Sequence, residues 1–187
     1  MNTSQPLGPA MQAEVAEAIR QSTMEVFETM LGISDVSVET LPPLRNNTGP
    51  RSGIFSLIGM AGAWAGTTSL VCSSDFACKI SSRFLQTPFE TVDDEVLDAI
   101  AEITNMIGGN VKNVLERTLG DMSLSTPTVI SGQGVQVHSA RVSHWIILRF
   151  SCADGNLYVH MCLAPNQEAG HTRTAPGMQV PMLPAHC

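Results

Sequence analysis

The chain has 187 residues, of which 43% are hydrophobic and 14% are charged, so it is long and apolar enough to form one domain with a sizeable core. Its formal net charge of −7 argues against a nucleic-acid partner, because phosphate binding requires clustered Lys and Arg. The N-terminus lacks a basic segment followed by an apolar run, and no stretch of 18 apolar residues occurs, so we expect a cytoplasmic protein without a signal peptide or a membrane span.

The first half of the chain predicts a helix, a strand, a hairpin and a second helix. Residues 1–9 are polar and contain two prolines, which favours a flexible N-terminus. Apolar residues recur at helical spacing over 10–31, and Gly32 stands where a helix-ending glycine is expected. The next elements are a strand at 35–41, a loop at 42–53, strands at 54–58 and 63–71 joined by a connection at 59–62, and a helix at 74–86 that ends before Pro88.

The second half predicts one long helix followed by strands. The helix covers 92–119, with a start signal in Thr91 and Asp94 and a stop at Gly120. After it we predict a strand at 128–130, a turn at 131–134, strands at 142–150 and 156–163 joined by a turn at 154–155, and a poorly ordered tail at 165–187. Hairpins dominate, so residues 10–164 are expected to form one α/β domain of the α+β type, with a largely antiparallel or mixed sheet packed against helices.

The five cysteines, Cys72, Cys78, Cys152, Cys162 and Cys187, do not indicate a disulfide framework or a metal site. Their number is odd, no CxxC pair occurs, and no Cys/His cluster has the spacing of a zinc site. We therefore expect reduced thiols, those in strands acting as small core residues, and no metal bound by this chain.

The long helix has one apolar face and one unusual polar face. Its apolar stripe consists of Val96, Ile100, Ile103, Ile107, Val111 and Val114, widened by Leu97, Met106 and Leu115. The polar stripe consists of Asp98, Glu102, Asn105, Gly109 and Asn113, at steps of four, three, four and four residues. Neighbours at these steps lie roughly 5–6 Å apart at Cβ, so Glu102 and Asn105 can contact one external object together.

Two features distinguish this polar stripe from an ordinary solvated face. Lys and Arg are absent from 92–111, so its carboxylates have no partners at helical spacing. Gly108 and Gly109 each cost roughly 1 kcal/mol within a helix relative to alanine. They indicate a close backbone approach, within the fold or from a partner, or a bend in the helix. The spacing alone still fits a plain surface better than an active site.

The segment DAIAEITNMIGGN resembles the signature helix of the CheC/CheX/FliY family of chemotaxis phosphatases. In that family an Asp or Ser is followed by Glu four residues later, by Asn after three more, and by Pro some twenty-odd residues downstream. Asp98, Glu102, Asn105 and Pro127 stand at these places. The resemblance covers about residues 10–164, including FETMLGISDV, GMAGAWAGTTSLV and PTVISGQGV. Only one signature helix is present, as in the CheX type.

The resemblance implies a CheX-like or CheC-like fold and a phosphatase acting on the aspartyl phosphate of a CheY-like response regulator. Asn105 would orient the attacking water and Glu102 would contact the receiver's active-site lysine. Asp98 and Gly109 would lie at the partner interface, while Pro127 would shape the chain after the helix. The receiver would supply Mg²⁺, no cofactor would reside on this chain, and the chain would form a homodimer. The alternatives are a non-catalytic receiver-binding or dimerisation module, and an unrelated small-molecule-binding domain.

Overall fold

The computed structural model describes residues 7–42, 52–133 and 145–166, which contain three helices and seven strands. In chain order these are α1 (Pro9–Thr29), β1 (Ser37–Leu41), β2 (Ser52–Gly62), β3 (Trp64–Cys72), α2 (Ser74–Leu85), α3 (Asp94–Leu119), β4 (Met122–Leu124), β5 (Thr128–Gln133), β6 (Ile146–Cys152) and β7 (Gly155–Pro165). Most of the predicted N-terminus, of the loop at 42–53 and of the tail lies outside the described residues, as do Gly134 of the predicted turn and the start of the strand at 142–150.

The seven strands form one sheet in which every pairing is antiparallel. The order is β1–β6–β7–β3–β2–β4, and β5 pairs with β2 on the same edge as β4. This confirms the predicted α+β fold with a largely antiparallel sheet. The strand order follows from hairpins, since β2–β3 and β6–β7 are joined by short turns and β7 then pairs with β3.

The helices pack on the sheet through one hydrophobic core. Alternate residues of β7, including Val159 and Met161, are fully buried and join the core with Ile100, Ile103 and Ile107 of α3. Each buried isoleucine contributes roughly 1.5–3 kcal/mol through removal of apolar surface from water. The apolar stripe of α3 is confirmed as its buried face, except that Leu115 is fully buried whereas Val114 is half-buried.

Capping groups set the bounds of the helices more closely than hydrophobic periodicity does. The Asp93 carboxylate accepts a hydrogen bond of 2.9 Å from the Val96 N–H, so α3 begins at Asp94 and the predicted start signal at Thr91 is wrong. Gly120 ends α3 as predicted. Helix α1 ends at Thr29, two residues before its predicted end, and Gly32 follows with a φ of +64°.

The predicted connection at 59–62 is wrong, because β2 continues through it to Gly62. Residues 60–62 pair with β4, a three-residue strand that is too short to give a recognisable sequence pattern. A Cβ on Gly62 would lie 2.2 Å from the Asp121 carbonyl oxygen, so this glycine permits a close approach of two backbones. The glycine-rich composition that suggested a turn therefore belongs to a paired strand.

The remaining differences concern strand ends. The turn predicted at 131–134 is wrong over its described residues, because β5 pairs with β2 as far as Gln133. The strand predicted at 142–150 extends to Cys152, and β7 extends to Pro165, which pairs with Trp64 of β3. The turn predicted at 154–155 lies one residue earlier, at 153–154, because Gly155 already pairs with Cys152 as the first residue of β7. None of the described helices combines the length and apolar character needed to cross a membrane.

Candidate functional site

The polar stripe of α3 lies on the exposed face of the helix. Because α3 buries its apolar face, the residues on its opposite face remain in contact with water. Asp98, Glu102, Asn105 and Asn113 are exposed, and Gly109 is half-buried. The sequence prediction of one exposed polar stripe on this helix is confirmed.

A groove of about 350 Å³ runs beside this stripe. One side of the groove consists of α3 residues. The other side, which we call the strand wall, consists of residues 124–127, that is, the last residue of β4 and the three residues that connect β4 to β5. The lining residues are Asp98, Ala101, Glu102, Asn105, Leu124, Ser125, Thr126 and Pro127. The fold therefore brings together all four residues that match the family signature, although Pro127 lies 22 residues after Asn105 in the chain.

The polar groups of α3 in the groove have no partners within the described part of the chain. No hydrogen bond or ion pair of Asp98, Glu102 or Asn105 occurs among residues 7–42, 52–133 and 145–166. Within these ranges, no contact of this kind uses the three side chains to stabilise the fold. They are available to an external partner, with two carboxylates and one amide as the recognition groups.

A buried polar pair fixes α3 on β2 next to these side chains. Thr104 of α3 and Ser56 of β2 are both inaccessible to solvent, and their hydroxyl oxygens lie 2.6 Å apart. The Thr104 hydroxyl also donates to the Ile100 carbonyl at 2.7 Å, so the Ser56 hydroxyl donates to Thr104. The backbone that carries Glu102 and Asn105 is thereby held in one register relative to β2.

The two glycines of α3 have different surroundings. A Cβ on Gly108 would lie 3.1 Å from Ile58 Cγ2, so this glycine permits close packing of the helix on β2. A Cβ on Gly109 would meet only Leu124 Cδ1, at 4.0 Å, which is an ordinary contact. Helix–strand packing therefore explains Gly108 but does not require Gly109. Gly109 lies outside the groove lining and one turn beyond Asn105.

Sequence reasoning missed the strand wall. Leu124, Ser125 and Thr126 line the groove together with the predicted Pro127. Their segment carries no catalytic motif, and they reach the groove because β4 and β5 both pair with β2. Pro127 was the only local signal in this segment. It predicted a change in the course of the chain after the helix but did not indicate which neighbouring residues line the groove.

The two side chains with the most strongly shifted pKa values, those of His160 and Cys72, lie apart from the groove. His160 pairs in register with Ser69 and Ile147 and forms an edge contact with Trp145, and burial lowers its pKa to about 4. Burial raises the pKa of the Cys72 thiol to about 12, as expected for a core cysteine.

The four described cysteines are free, and Cys72, Cys78 and Cys162 are buried. Within the described ranges, no group of three or more His, Cys, Asp or Glu side chains is arranged to hold a metal ion. The polar groups that line the groove are carboxylates, one amide and two hydroxyls.

Comparison with known proteins identifies a family and relatives of this chain. The profile of the family described as chemotaxis phosphatase CheX matches residues 54–151, more than half of the chain. The CheY-P phosphatase CheX of Thermotoga maritima is 26% identical over 130 residues, which is 69% of this chain and 83% of that protein.

Solved structures show the same architecture. The chemotaxis protein CheX of Vibrio vulnificus is 30% identical and superposes with a TM-score of 0.67, over 81% of this chain and 97% of that one. A chain in the CheX–CheY–BeF₃–Mg²⁺ complex of Borrelia burgdorferi has the same fold, with a TM-score of 0.66 at 21% identity over 79% of this chain and 96% of that one.

Proposed function

The chain belongs to the CheX family of chemotaxis phosphatases, and we propose that it hydrolyses the aspartyl phosphate of a CheY-like receiver domain. The observation that carries the proposal is the groove, where Asp98, Glu102 and Asn105 are exposed, have no partner in the described part of the chain, and lie beside a wall that contains Pro127. The relative from Thermotoga maritima, which is named a CheY-P phosphatase, supports the same reaction.

Asn105 is the residue to which we assign placement of the attacking water. An aspartyl phosphate is an activated acyl phosphate, so the main task of a catalyst is to hold water in line with the phosphorus. A carboxamide suits this task because it can donate one hydrogen bond and accept another without a change of charge. Asn105 is exposed on a helix whose position is fixed by the Ser56–Thr104 pair, so its amide can enter a partner's active site on a rigid support.

Glu102 is assigned to docking through charge. It lies one turn before Asn105 on the same face, and a carboxylate at this place can pair with a lysine of the receiver's active site. Asp98 lies one further turn back in the groove lining and adds a second carboxylate to the same contact surface. Both acidic groups lie where a cationic partner group can reach them from solvent.

The other predicted residues support this contact surface. Gly109 has no side chain, so the backbone of a partner has room to approach α3 one turn beyond Asn105. Pro127 belongs to the strand wall, and because it has no N–H it leaves no unpaired backbone donor there. We propose further that the receiver brings its own Mg²⁺, that the reaction takes place in the cytoplasm, and that the chain acts as a homodimer.

The test is phosphate release from a phosphorylated CheY-like receiver of the same organism in the presence of Mg²⁺. Wild-type protein is expected to accelerate release. Asn105→Ala should reduce this acceleration by roughly 100-fold or more, because misplaced water loses most of the positional advantage. Glu102→Ala should raise the KM by roughly 10-fold or more, since a hydrogen bond to a charged group is lost.

Asn113→Ala provides the matched control. Asn113 is an exposed asparagine on the same stripe, about two turns beyond Asn105 and outside the groove, so its loss should leave the rate unchanged. If wild-type protein binds the phosphorylated receiver but leaves its decay unchanged, the chain is a non-catalytic receiver-binding module. Absence of both binding and acceleration with the organism's receivers contradicts the proposal altogether.

A further inference from the structure

The strand wall of the groove is built around a one-residue β-bulge. The pairings of β4 and β5 with β2 leave three residues, 125–127, opposite only Ile58 and Gly59. A bulge of this kind bends its strand and re-aims the side chains next to it, and bulges are common beside active sites. Here the bulged residues are those that line the groove opposite Glu102 and Asn105.

Ser125 holds the bulge in one conformation. Its N–H donates to the Gly59 carbonyl at 2.9 Å, and its hydroxyl accepts from the Gly59 N–H at 2.9 Å. The same hydroxyl donates to the Thr126 carbonyl at 3.0 Å. A Cβ on residue 59 would lie 3.3 Å from Ser125 Oγ, so the glycine leaves space for this hydroxyl. The three bonds fix the backbone of the bulge without help from a regular ladder.

Thr126 is the member of the bulge whose side chain is left for other contacts. Its carbonyl accepts from Ser125, but its hydroxyl has no hydrogen-bond partner in the described part of the chain. The residue is exposed and lines the groove on the side facing α3. Thr126 is therefore within reach of an object that contacts Glu102 and Asn105 in this groove.

We propose that Thr126 is a partner-contact residue, and that the bulge held by Ser125 presents its hydroxyl to a polar backbone group of the loop around the receiver's phosphorylated aspartate. This inference rests on the proposed function and adds a second recognition element, opposite the signature helix, to the same site. The hydroxyl selects partners by a hydrogen bond, whereas Glu102 selects them by charge. Ser125 is a positioning residue, because its hydroxyl is already engaged within the bulge.

The experiment uses the full chain and a CheY-like receiver carrying beryllofluoride and Mg²⁺ as a stable mimic of the phosphorylated state. Thr126→Val keeps the side-chain shape and removes the hydroxyl. It is expected to raise the Kd by roughly 2- to 10-fold, the range for loss of one neutral hydrogen bond. Thr126→Ser should restore wild-type affinity. With the phosphorylated receiver, Thr126→Val should raise the KM by the same factor and leave kcat unchanged.

Thr128→Val is the control for loss of an exposed threonine hydroxyl from the same segment. Thr128 lies just beyond the bulge, pairs with Leu57 and does not line the groove, so its loss should leave the Kd unchanged. Ser125→Ala should raise the Kd in the same direction as Thr126→Val. If wild-type protein binds and Thr126→Val binds equally well, the inference is overturned while the proposed function stands. If wild-type protein binds no receiver of the organism, both are overturned.

Discussion

Replacement of Thr104 by valine removes the buried polar link between α3 and β2 while keeping the shape of the side chain. Thr104 and Ser56 are fully buried, and their oxygens lie 2.6 Å apart. In Thr104→Val the Ile100 carbonyl keeps its helical backbone donor, but the Ser56 hydroxyl loses its acceptor. In Ser56→Ala, by contrast, the Thr104 hydroxyl still donates to Ile100. The two substitutions therefore differ in whether a buried donor is left unpaired.

The free energy of unfolding should reflect this difference. Leaving a buried hydroxyl unpaired costs about 1–3 kcal/mol, whereas loss of one hydrogen bond whose remaining donor stays paired costs about 0.5–1.5 kcal/mol. In the double variant Thr104→Val/Ser56→Ala no unpaired group remains. We expect it to be no less stable than Thr104→Val alone, which corresponds to a coupling of about 1 kcal/mol between the two positions.

Urea denaturation of the wild type, both single variants and the double variant measures these quantities, provided that the m-value is the same in all four. The expected order of destabilisation is Thr104→Val first, then Ser56→Ala, with no additional loss in the double variant relative to Thr104→Val. Additive effects of the two substitutions, or a larger effect of Ser56→Ala, would refute the assignment of Ser56 as the donor and Thr104 as its acceptor.

Two further predictions concern a glycine of the signature helix and a buried histidine. Gly109→Ala should raise the free energy of unfolding by roughly 1 kcal/mol, because alanine has the higher helix propensity and its Cβ would make only an ordinary contact with Leu124. The same substitution should slow phosphate release from the receiver if a backbone segment of the partner approaches α3 at this position. Gly108→Ala should show no such stabilisation, since its Cβ would lie only 3.1 Å from Ile58. An unchanged rate of phosphate release for Gly109→Ala would contradict the assignment of Gly109 to the interface. Burial lowers the pKa of His160 to about 4, so the unfolded chain binds a proton that the folded chain does not between pH 6.5 and 4. Stability should therefore fall by up to about 3 kcal/mol as the pH is lowered through this window, and a His160→Gln variant that keeps the same pH slope in denaturation would contradict the assignment.

The sequence by itself determined the features that depend on local spacing. Apolar residues three and four positions apart specify α3 and its buried face, and the same spacing places Asp98, Glu102 and Asn105 on one exposed stripe. The hairpin signals specify an antiparallel sheet for the same reason, since strands joined by short turns pair with each other. The signature motif added the family, which the profile match bears out.

Only the tertiary structure decided what lies opposite that stripe. The strand wall is specified by pairing across long sequence separations, as between Gly59 and Ser125, which are 66 residues apart. No local period encodes such a contact, so β4 and the bulge at 125–127 were missed, and the glycines of 59–62 were interpreted as a turn. Helical spacing is a property of neighbouring residues, but a groove needs two walls, and the second wall forms only when β4 and β5 pair with the same edge of β2.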